Sequence, residues 1–348
     1  MTSGGFLLRA AEPDDLDEVE ALGALSADGG AVAFRIHTHV RAEGPGLTRS
    51  AGVVAVDEGD GTLVGSARMT LGRCWYEGVE RSYAVLGSLV VHPEQRRRGI
   101  GAALGRWRIE RAEQLVGADA VVLADIQKGN AGSLAAARRW ASAFVGPSSS
   151  VPVPMRSRRV RPPRGLEIRA ASPEQLPEIA ERVTAATADC NFARVWTPSA
   201  LRQWLEWAPT GTPVHHYRLA MSPSGAVLAG LALRQEGLLR SMEVVRMPPA
   251  IRLANSVLHV VPRDGILRNI GVEHVWYLPG QERAAAVLWE DTRWSFRDRG
   301  SGLLLTVDRR SPLRSVLGVR PWMPATSIMT AVRADPPPSP KRLIAPPE

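Results

Sequence analysis

Cysteine is nearly missing from this chain of 348 residues, with only Cys74 and Cys190 present. Two thiols in different halves exclude a disulfide scaffold and a multi-cysteine zinc site, and they fit a reducing compartment. Lysine is equally scarce. Only Lys128 and Lys341 occur, so 41 of the 43 basic residues are arginine. With abundant Ala, Gly and Pro, that bias reads as a GC-rich coding sequence. The arginines are scattered, apart from Arg96, Arg97 and Arg98 and a run through Arg156, Arg158, Arg159, Arg161 and Arg164. The formal charge of +8 is therefore not read as a nucleic-acid surface. No stretch of 18 apolar residues exists, so no membrane helix is expected. The opening MTSGGFLLRAAEPDD lacks a basic segment and an apolar segment, so no signal peptide is expected and a cytoplasmic protein is the default. A G-x-x-x-x-G-K-[ST] loop is absent, which excludes a P-loop. Residues 99–105, GIGAALG, space their glycines G-x-G-x-x-x-G and so miss the dinucleotide fingerprint. What remains is 45% hydrophobic, enough for a real core, at a length comfortable for two domains.

Residues 89–102, LVVHPEQRRRGIGA, carry the most information. An apolar strand runs into a basic, glycine-containing turn that opens a helix. First-turn amides of a helix have no intrahelical acceptor, and the macrodipole adds positive charge at the same spot. Such a turn is a receptor for a pyrophosphate. Gly99 and Gly101 lack Cβ atoms, which lets a diphosphate approach the main chain. Arg96, Arg97 and Arg98 add permanent charge and fork-shaped donors.

The chain also repeats itself. FLLRAAEPDDL at residues 6–16 matches LEIRAASPEQL at residues 166–176, an offset of 160. Both read as a short strand and then a helix initiated by proline. VPVPMRSRR at 151–159 and TSIMTAVR at 326–333 both read as closing strands. The expected organisation is a first domain over 1–160, a Pro/Arg-rich link around 161–165, a second domain over 165–334, and a disordered Pro-rich tail over 335–348. Within the first domain, strands are expected over 52–69 (two, joined by a turn at 57–61), 83–92 and 120–126. Helices are expected over 101–116 and 131–144. The strand–helix–strand order implies locally parallel pairing, with the basic turn at the carboxyl end of its strand.

The spacing Arg96-x-x-Gly99-x-Gly101-Ala102, after strand LVV, resembles the Q/R-x-x-G-x-G/A motif of the GNAT superfamily of acyl-CoA-dependent acyltransferases. The strand-R-x-A start of both repeats is also similar to the family's. The resemblance covers most of residues 6–160 and extends to 166–333 only as architecture. It implies two tandem GNAT-like α/β domains, each a mixed twisted sheet flanked by helices. It implies acyl-CoA, most simply acetyl-CoA, as cofactor. Arg96, Arg97, Arg98, Gly99, Ile100, Gly101 and Ala102 would hold its pyrophosphate. The backbone of Leu89, Val90 and Val91 would bind the pantetheine arm and polarise the thioester carbonyl. Asn130-Ala-Gly-Ser133-Leu134 resembles the family's N-x-x-S/A-L element beside the pantetheine, although Asn130 is equally suited to capping a helix.

The acid–base residues depart from the family pattern. Ala137 stands where many relatives carry a tyrosine that protonates the thiolate, and Gly87-Ser88 stand where many carry a glutamate. Asp125, five residues before Asn130, matches the place where some relatives keep a glutamate that works as a base through water. An aspartate inside an apolar strand requires a reason, because an unpaired buried carboxylate is costly. An arginine partner, or a carboxylate that simply marks the strand's end, would be the structural alternative. Tyr83, Tyr76 and Ser88 are weaker candidates for the proton donor, and His37 and His39 lie where relatives bind the acceptor. In the second domain the equivalent turn, 275–284, has no G-x-G, one arginine and Pro279, which lacks an amide donor. That half is expected to have lost coenzyme A binding. It holds seven of the ten tryptophans, among them Trp196, Trp204 and Trp207, mostly as core with a few available to an acceptor cleft. The expected activity is transfer of an acetyl group to an amine by direct attack on the thioester, in the first domain. A non-catalytic acyl-CoA-binding module and a GNAT enzyme for O-acylation or decarboxylation are the alternatives. The expected partners are a small amine or peptide acceptor, with no nucleic acid and no membrane. The oligomeric state stays open.

Overall fold

The computed structural model describes residues 5–25, 33–41, 44–258 and 261–345. The first half runs β1 (Phe6–Ala10), α1 (Leu16–Leu25), β2 (Ala33–Thr38), β3 (Arg49–Asp57), β4 (Leu63–Tyr76), β5 (Val79–Val91), α2 (Ile100–Val116), β6 (Val121–Gln127), α3 (Ala131–Ala137) and β7 (Ala143–Val153). The second half runs β8 (Glu167–Ala170), α4 (Leu176–Ala186), β9 (Cys190–Asn191), α5 (Pro198–Glu206), β10 (His215–Met221), β11 (Val227–Arg234), β12 (Arg240–Arg246), α6 (Pro249–Leu258), β13 (Ile266–Leu267), β14 (Asn269–Tyr277), α7 (Glu282–Ser295), β15 (Gly302–Asp308), α8 (Leu313–Val316), β16 (Thr326–Arg333) and β17 (Leu343–Ile344). No helix among the described residues is long and apolar enough to cross a membrane.

The repeat seen in the sequence has a local cause. In each half a proline starts a single 3-10 turn that leads into the first helix, and in each a reciprocal cap closes that turn. Glu12 pairs with Asp15 in the first half, and Ser172 pairs with Gln175 in the second. Arg9 adds a two-pronged grip on Asp15, at 2.6 and 2.7 Å, and holds its carboxyl below the ordinary range.

Twelve strands form one sheet in the order β1-β3-β4-β5-β6-β16-β7-β15-β14-β11-β10-β8. Only β5–β6 and β14–β15 pair in parallel within it; the remaining neighbours are antiparallel. The centre is an exchange. β16, the last long strand of the second half, lies between the first half's β6 and β7, while β7 reaches across to pair with β15. Each half thus completes its sheet with a strand from the other. A second, smaller sheet, β13-β12-β2, also crosses between the halves. In it β2 lies against β12, with Arg35 and His37 both on Glu243 and His39 on Ser241.

Two sequence expectations are corrected. The helix expected over 131–144 stops at Ala137, and Ala143 and Phe144 already belong to β7, opposite Val332 and Ala331. Cross-strand pairing with the exchanged β16 overrides the local helical propensity of the alanines. The tail expected to be disordered is docked. Tyr76 donates to the Pro336 carbonyl at 2.5 Å, the Ser339 amide donates to Glu77, and β17 pairs with β9. Ile344 is 6% exposed, and its amide donates to Asp308, a carboxylate that is 2% exposed and also gripped by Arg310. Proline content lowers the entropy that must be lost on docking, and the tail buries an apolar anchor that composition alone does not weigh. Pro346, Pro347 and Glu348 lie outside the described residues. Deletion of residues 335–348 is expected to cost on the order of 3 kcal/mol, from the buried isoleucine and the orphaned bonds at Asp308. Urea unfolding of the truncated chain measures it, and an unchanged midpoint would make the tail an ornament.

Candidate active site

The site begins where β5 leaves β6. The two strands pair from Tyr83↔Val121 to Val85↔Leu123 and then diverge. On its other side β5 stays paired with β4 as far as Val91. The β6-facing edge of residues 86–91 therefore has no strand partner, and its amides and carbonyls line an open V. A bulge enlarges the opening. The register with β4 slips by one residue between Ser66↔Val90 and Arg68↔Gly87, and Ser88 sits there at φ 51°, in the left-handed region. Ser88 is exposed at the cleft as a consequence.

Arg108, which sequence reasoning missed, holds this bulge from beneath. It is 5% exposed on the inner face of α2, one turn after Leu104, and donates to the carbonyls of Gly87 at 2.9 Å and Arg68 at 3.2 Å. Burial pulls its guanidinium down to about 10, so it stays charged at neutral pH. An arginine on the apolar stripe of a helix is a signal that the sequence did contain. Arg108→Leu is expected to lower stability by about 1–3 kcal/mol through the stranded carbonyls. It should also weaken cofactor binding as the bulge relaxes. Thermal melts and calorimetry read the two effects, and intact affinity would detach Arg108 from the site.

The turn after β5 has the expected form. Gly99 caps α2 at φ 86°, and Ala102 and Ala103 donate to its carbonyl at 3.0 Å. The amides of Ile100 and Gly101 belong to the first helical turn and have no intrahelical acceptor, and Gly101 lines the cleft. A Cβ placed on Gly101 would have no neighbour nearer than 3.7 Å, and one on Gly105 would have none within 4 Å. Neither glycine is demanded by packing, yet each costs the helix up to about 1 kcal/mol against alanine. The bare face they make, with Ala102, lines the cavity and leaves room for a ligand. Arg96 lines the cavity and Arg97 is exposed beside it, while Ile100 is buried in the core. Arg98 is a correction: it turns away to Asp57 at 3.0 Å and to Gln95, tying the turn to the β3–β4 hairpin. Leu89, Val90 and Val91 line the cavity along β5. Asn130 caps α3 by accepting the Ser133 amide at 3.0 Å, and both residues also line the cavity.

Asp125 lies on β6 beyond the point of divergence, open to the cavity. By strand alternation it faces away from α2, which packs on Val122. Protein surrounds that part of the cleft, and the resulting desolvation raises its carboxyl above the ordinary range. The opposing pull is a hydrogen bond from Thr330 Oγ1 to Oδ1 at 2.6 Å. The arginine partner of the structural alternative is not what meets it. Thr330 is 2% exposed and comes from the exchanged β16, directly opposite Asp125 in register. Its role was invisible in the sequence because it depends on a strand some 200 residues away.

Other candidates are placed elsewhere. Tyr83 is 2% exposed among Cys74, Tyr76, Phe192 and Val332, with its ring over Gly72, before the strands diverge. Tyr76 is tied to the tail, and burial pushes its phenol up to about 12. Burial likewise lifts the thiols of Cys74 and Cys190 to about 12 and about 11, so neither is a ready nucleophile. His37 and His39 serve the small cross-half sheet. Trp196 and Trp204 are core residues, and Trp204 also lines the cavity with Trp207 and His215.

The cavity is continuous, about 3580 Å³, and runs from the β5–β6 opening over the exchanged strands to β10 and β12. That exceeds the usual pocket for one small ligand and leaves space for two substrates. In the second half the corresponding turn, residues 278–281, is shorter. It holds no G-x-G, and α7 opens on Glu282, whose charge opposes an anion there.

Residues 33–141 match the family model described as the acetyltransferase (GNAT) family. That span contains β5, the turn, Asp125 and Asn130. A tandem GNAT protein from the clavulanic acid biosynthesis pathway superposes with a TM-score of 0.58 at 15% identity, over 94% of this chain and 98% of that one. This is a tandem GNAT-fold protein. N-myristoyltransferase from Saccharomyces cerevisiae, solved with myristoyl-CoA, shares the fold with a TM-score of 0.63 at 11% identity, over 99% of this chain and 89% of that one. A GCN5-related N-acetyltransferase from Kribbella flavida gives 0.52 at 17% identity, over 94% of this chain and 71% of that one. No curated protein matches the sequence.

Proposed function

We propose that the chain transfers an acyl group, acetyl in the simplest case, from coenzyme A to an amine, with its active centre in the unit spanning residues 1–160. The observation that carries this reading is convergence. Gly101 and Ala102 at the start of α2, the unpaired edge of β5 and Asp125 all line one cavity. The turn from Arg96 to Ala102 would receive the pyrophosphate, and the edge of residues 86–91 the pantetheine arm. Amides along that edge would polarise the acyl carbonyl. Asp125 would accept the proton lost by the attacking amine, directly or through a water. The unit spanning 165–334 would wall the acceptor side and supply the exchanged strand. The match of residues 33–141 to the acetyltransferase family supports the donor class.

The deciding measurement is coenzyme A release by the full chain, from acetyl-, octanoyl- and myristoyl-CoA, against a panel of primary amines, amino sugars and peptides. Amine-dependent release is expected with acetyl-CoA. Release with alcohols only, or with no acceptor in the panel, would overturn N-acyl transfer. Calorimetry should find one acetyl-CoA per chain, because the second half's turn is shorter, lacks the G-x-G and places Glu282 at the helix start. Two equivalent sites would contradict the division of labour.

A further inference from the structure

We infer that Thr330, delivered by the second half on the exchanged strand β16, is a positioning residue for Asp125. It fixes one carboxylate oxygen so that the other faces the cleft. The inference rests on the proposed role of Asp125 as base and extends it to a residue outside the unit that binds the cofactor.

Three observations carry it. Thr330 and Asp125 are direct partners in the β6–β16 register, so backbone pairing sets their approach. Thr330 Oγ1 donates to Oδ1 at 2.6 Å, a short bond of the kind expected when the acceptor is ionised. Thr330 is 2% exposed while Asp125 is exposed and lines the cavity, so Oδ1 is held from the buried side and Oδ2 is not engaged by Thr330. The strand around Thr330 is otherwise aliphatic where it meets the core, with Ala331 and Val332 both fully buried. A valine would fill the same volume, so the hydroxyl is needed for its bond rather than for packing.

The shift of Asp125 has two causes, burial and the Thr330 hydroxyl. The facing stretch of β5, residues 86–91, holds no titratable side chain, and α3 holds none. On β16 the one charged residue is Arg333, which is ion-paired to Glu113. Arg108, Glu110 and Glu113 project from α2, which packs on the opposite face of β6. Lys128 lies in the turn after β6. A donor to the ionised form favours ionisation, so the Thr330 hydroxyl works against desolvation and keeps the base available at lower pH.

The test is a carbon-13 NMR titration of the Asp125 carboxyl in the full chain, the signal being assigned by its loss in Asp125→Asn. Thr330→Val is expected to raise the midpoint by about one pH unit, the range of a hydrogen bond to a charged group. Thr330→Ser should return it close to wild type, and acetyl-CoA affinity should be unchanged in both. If Thr330→Val does not fold, Thr330→Ala removes the same hydroxyl and serves in its place. A midpoint within a few tenths of wild type in the hydroxyl-free variant would overturn the inference. The pH–rate profile separates this outcome from failure of the base reading. An acidic limb that persists in Asp125→Asn removes Asp125 as base. A limb that vanishes there, but does not move when the hydroxyl is removed, removes only the role of Thr330.

Discussion

Gly101→Glu is expected to abolish acetyl-CoA binding by the full chain while leaving the fold in place. Gly101 stands in the first turn of α2 on the face that lines the cavity. A Cβ there meets Val91 and Leu89 only at ordinary contact, 3.7 and 3.8 Å, so the backbone accepts a side chain. The carboxylate of a glutamate would then occupy the space above the first-turn amides and place negative charge where a pyrophosphate is to sit. Loss of volume and like-charge repulsion act together, and several kcal/mol correspond to at least about a hundredfold in affinity. Gly101→Ala is the informative companion. It adds one methyl, relieves the helix of up to about 1 kcal/mol of glycine cost, and so should raise the melting temperature while weakening binding modestly. Calorimetric titration of both variants decides the matter. Unchanged affinity in Gly101→Glu would mean that the turn is an ordinary basic helix cap.

How much of this was legible in the sequence depends on how local each feature is. The turn before α2 is written in six consecutive residues, and its strand, glycines and helix start fall where expected. The repeat at residues 6–16 and 166–176 is equally local, because a proline-started turn and its cap involve neighbours only. Asp125 was legible from its place five residues before Asn130 in the family resemblance and from its chemistry, as a carboxylate in an apolar strand. Its partner was not, since Thr330 reaches it only through an exchange between halves. The same exchange explains the shortened helix after Asn130, where pairing with β16 draws Ala143 and Phe144 into a strand. Arg98 looked like a phosphate ligand by position, but Asp57 sits closer, on a hairpin whose approach the linear order does not reveal. Proline content suggested a loose tail. A buried isoleucine, the carboxylate of Asp308 and bonds to Tyr76 and Glu77 dock it.

Asp125→Asn is expected to lower kcat by about 10²-fold or more, the range for loss of a general base, with the KM for acetyl-CoA nearly unchanged. The amide keeps the shape of the carboxyl and can still accept from Thr330, so the cleft keeps its geometry. What it loses is the capacity to take a proton. The pH dependence has a definite sign. Desolvation raises the folded pKa of Asp125, so wild-type turnover should fall as pH drops through a value above the ordinary aspartate range. That limb should disappear in Asp125→Asn, leaving a low rate that is flat across it. Stability provides the second readout. A carboxyl whose folded pKa is raised favours the folded state fully below its unfolded pKa, and that contribution is lost as pH rises through the folded value. Neutral asparagine carries no such cost, so at neutral pH the variant should melt no lower than wild type. Reduced turnover with an intact melt assigns Asp125 to the chemistry. Reduced turnover that merely tracks a lowered melt would show instead that the carboxylate holds β6 to β16.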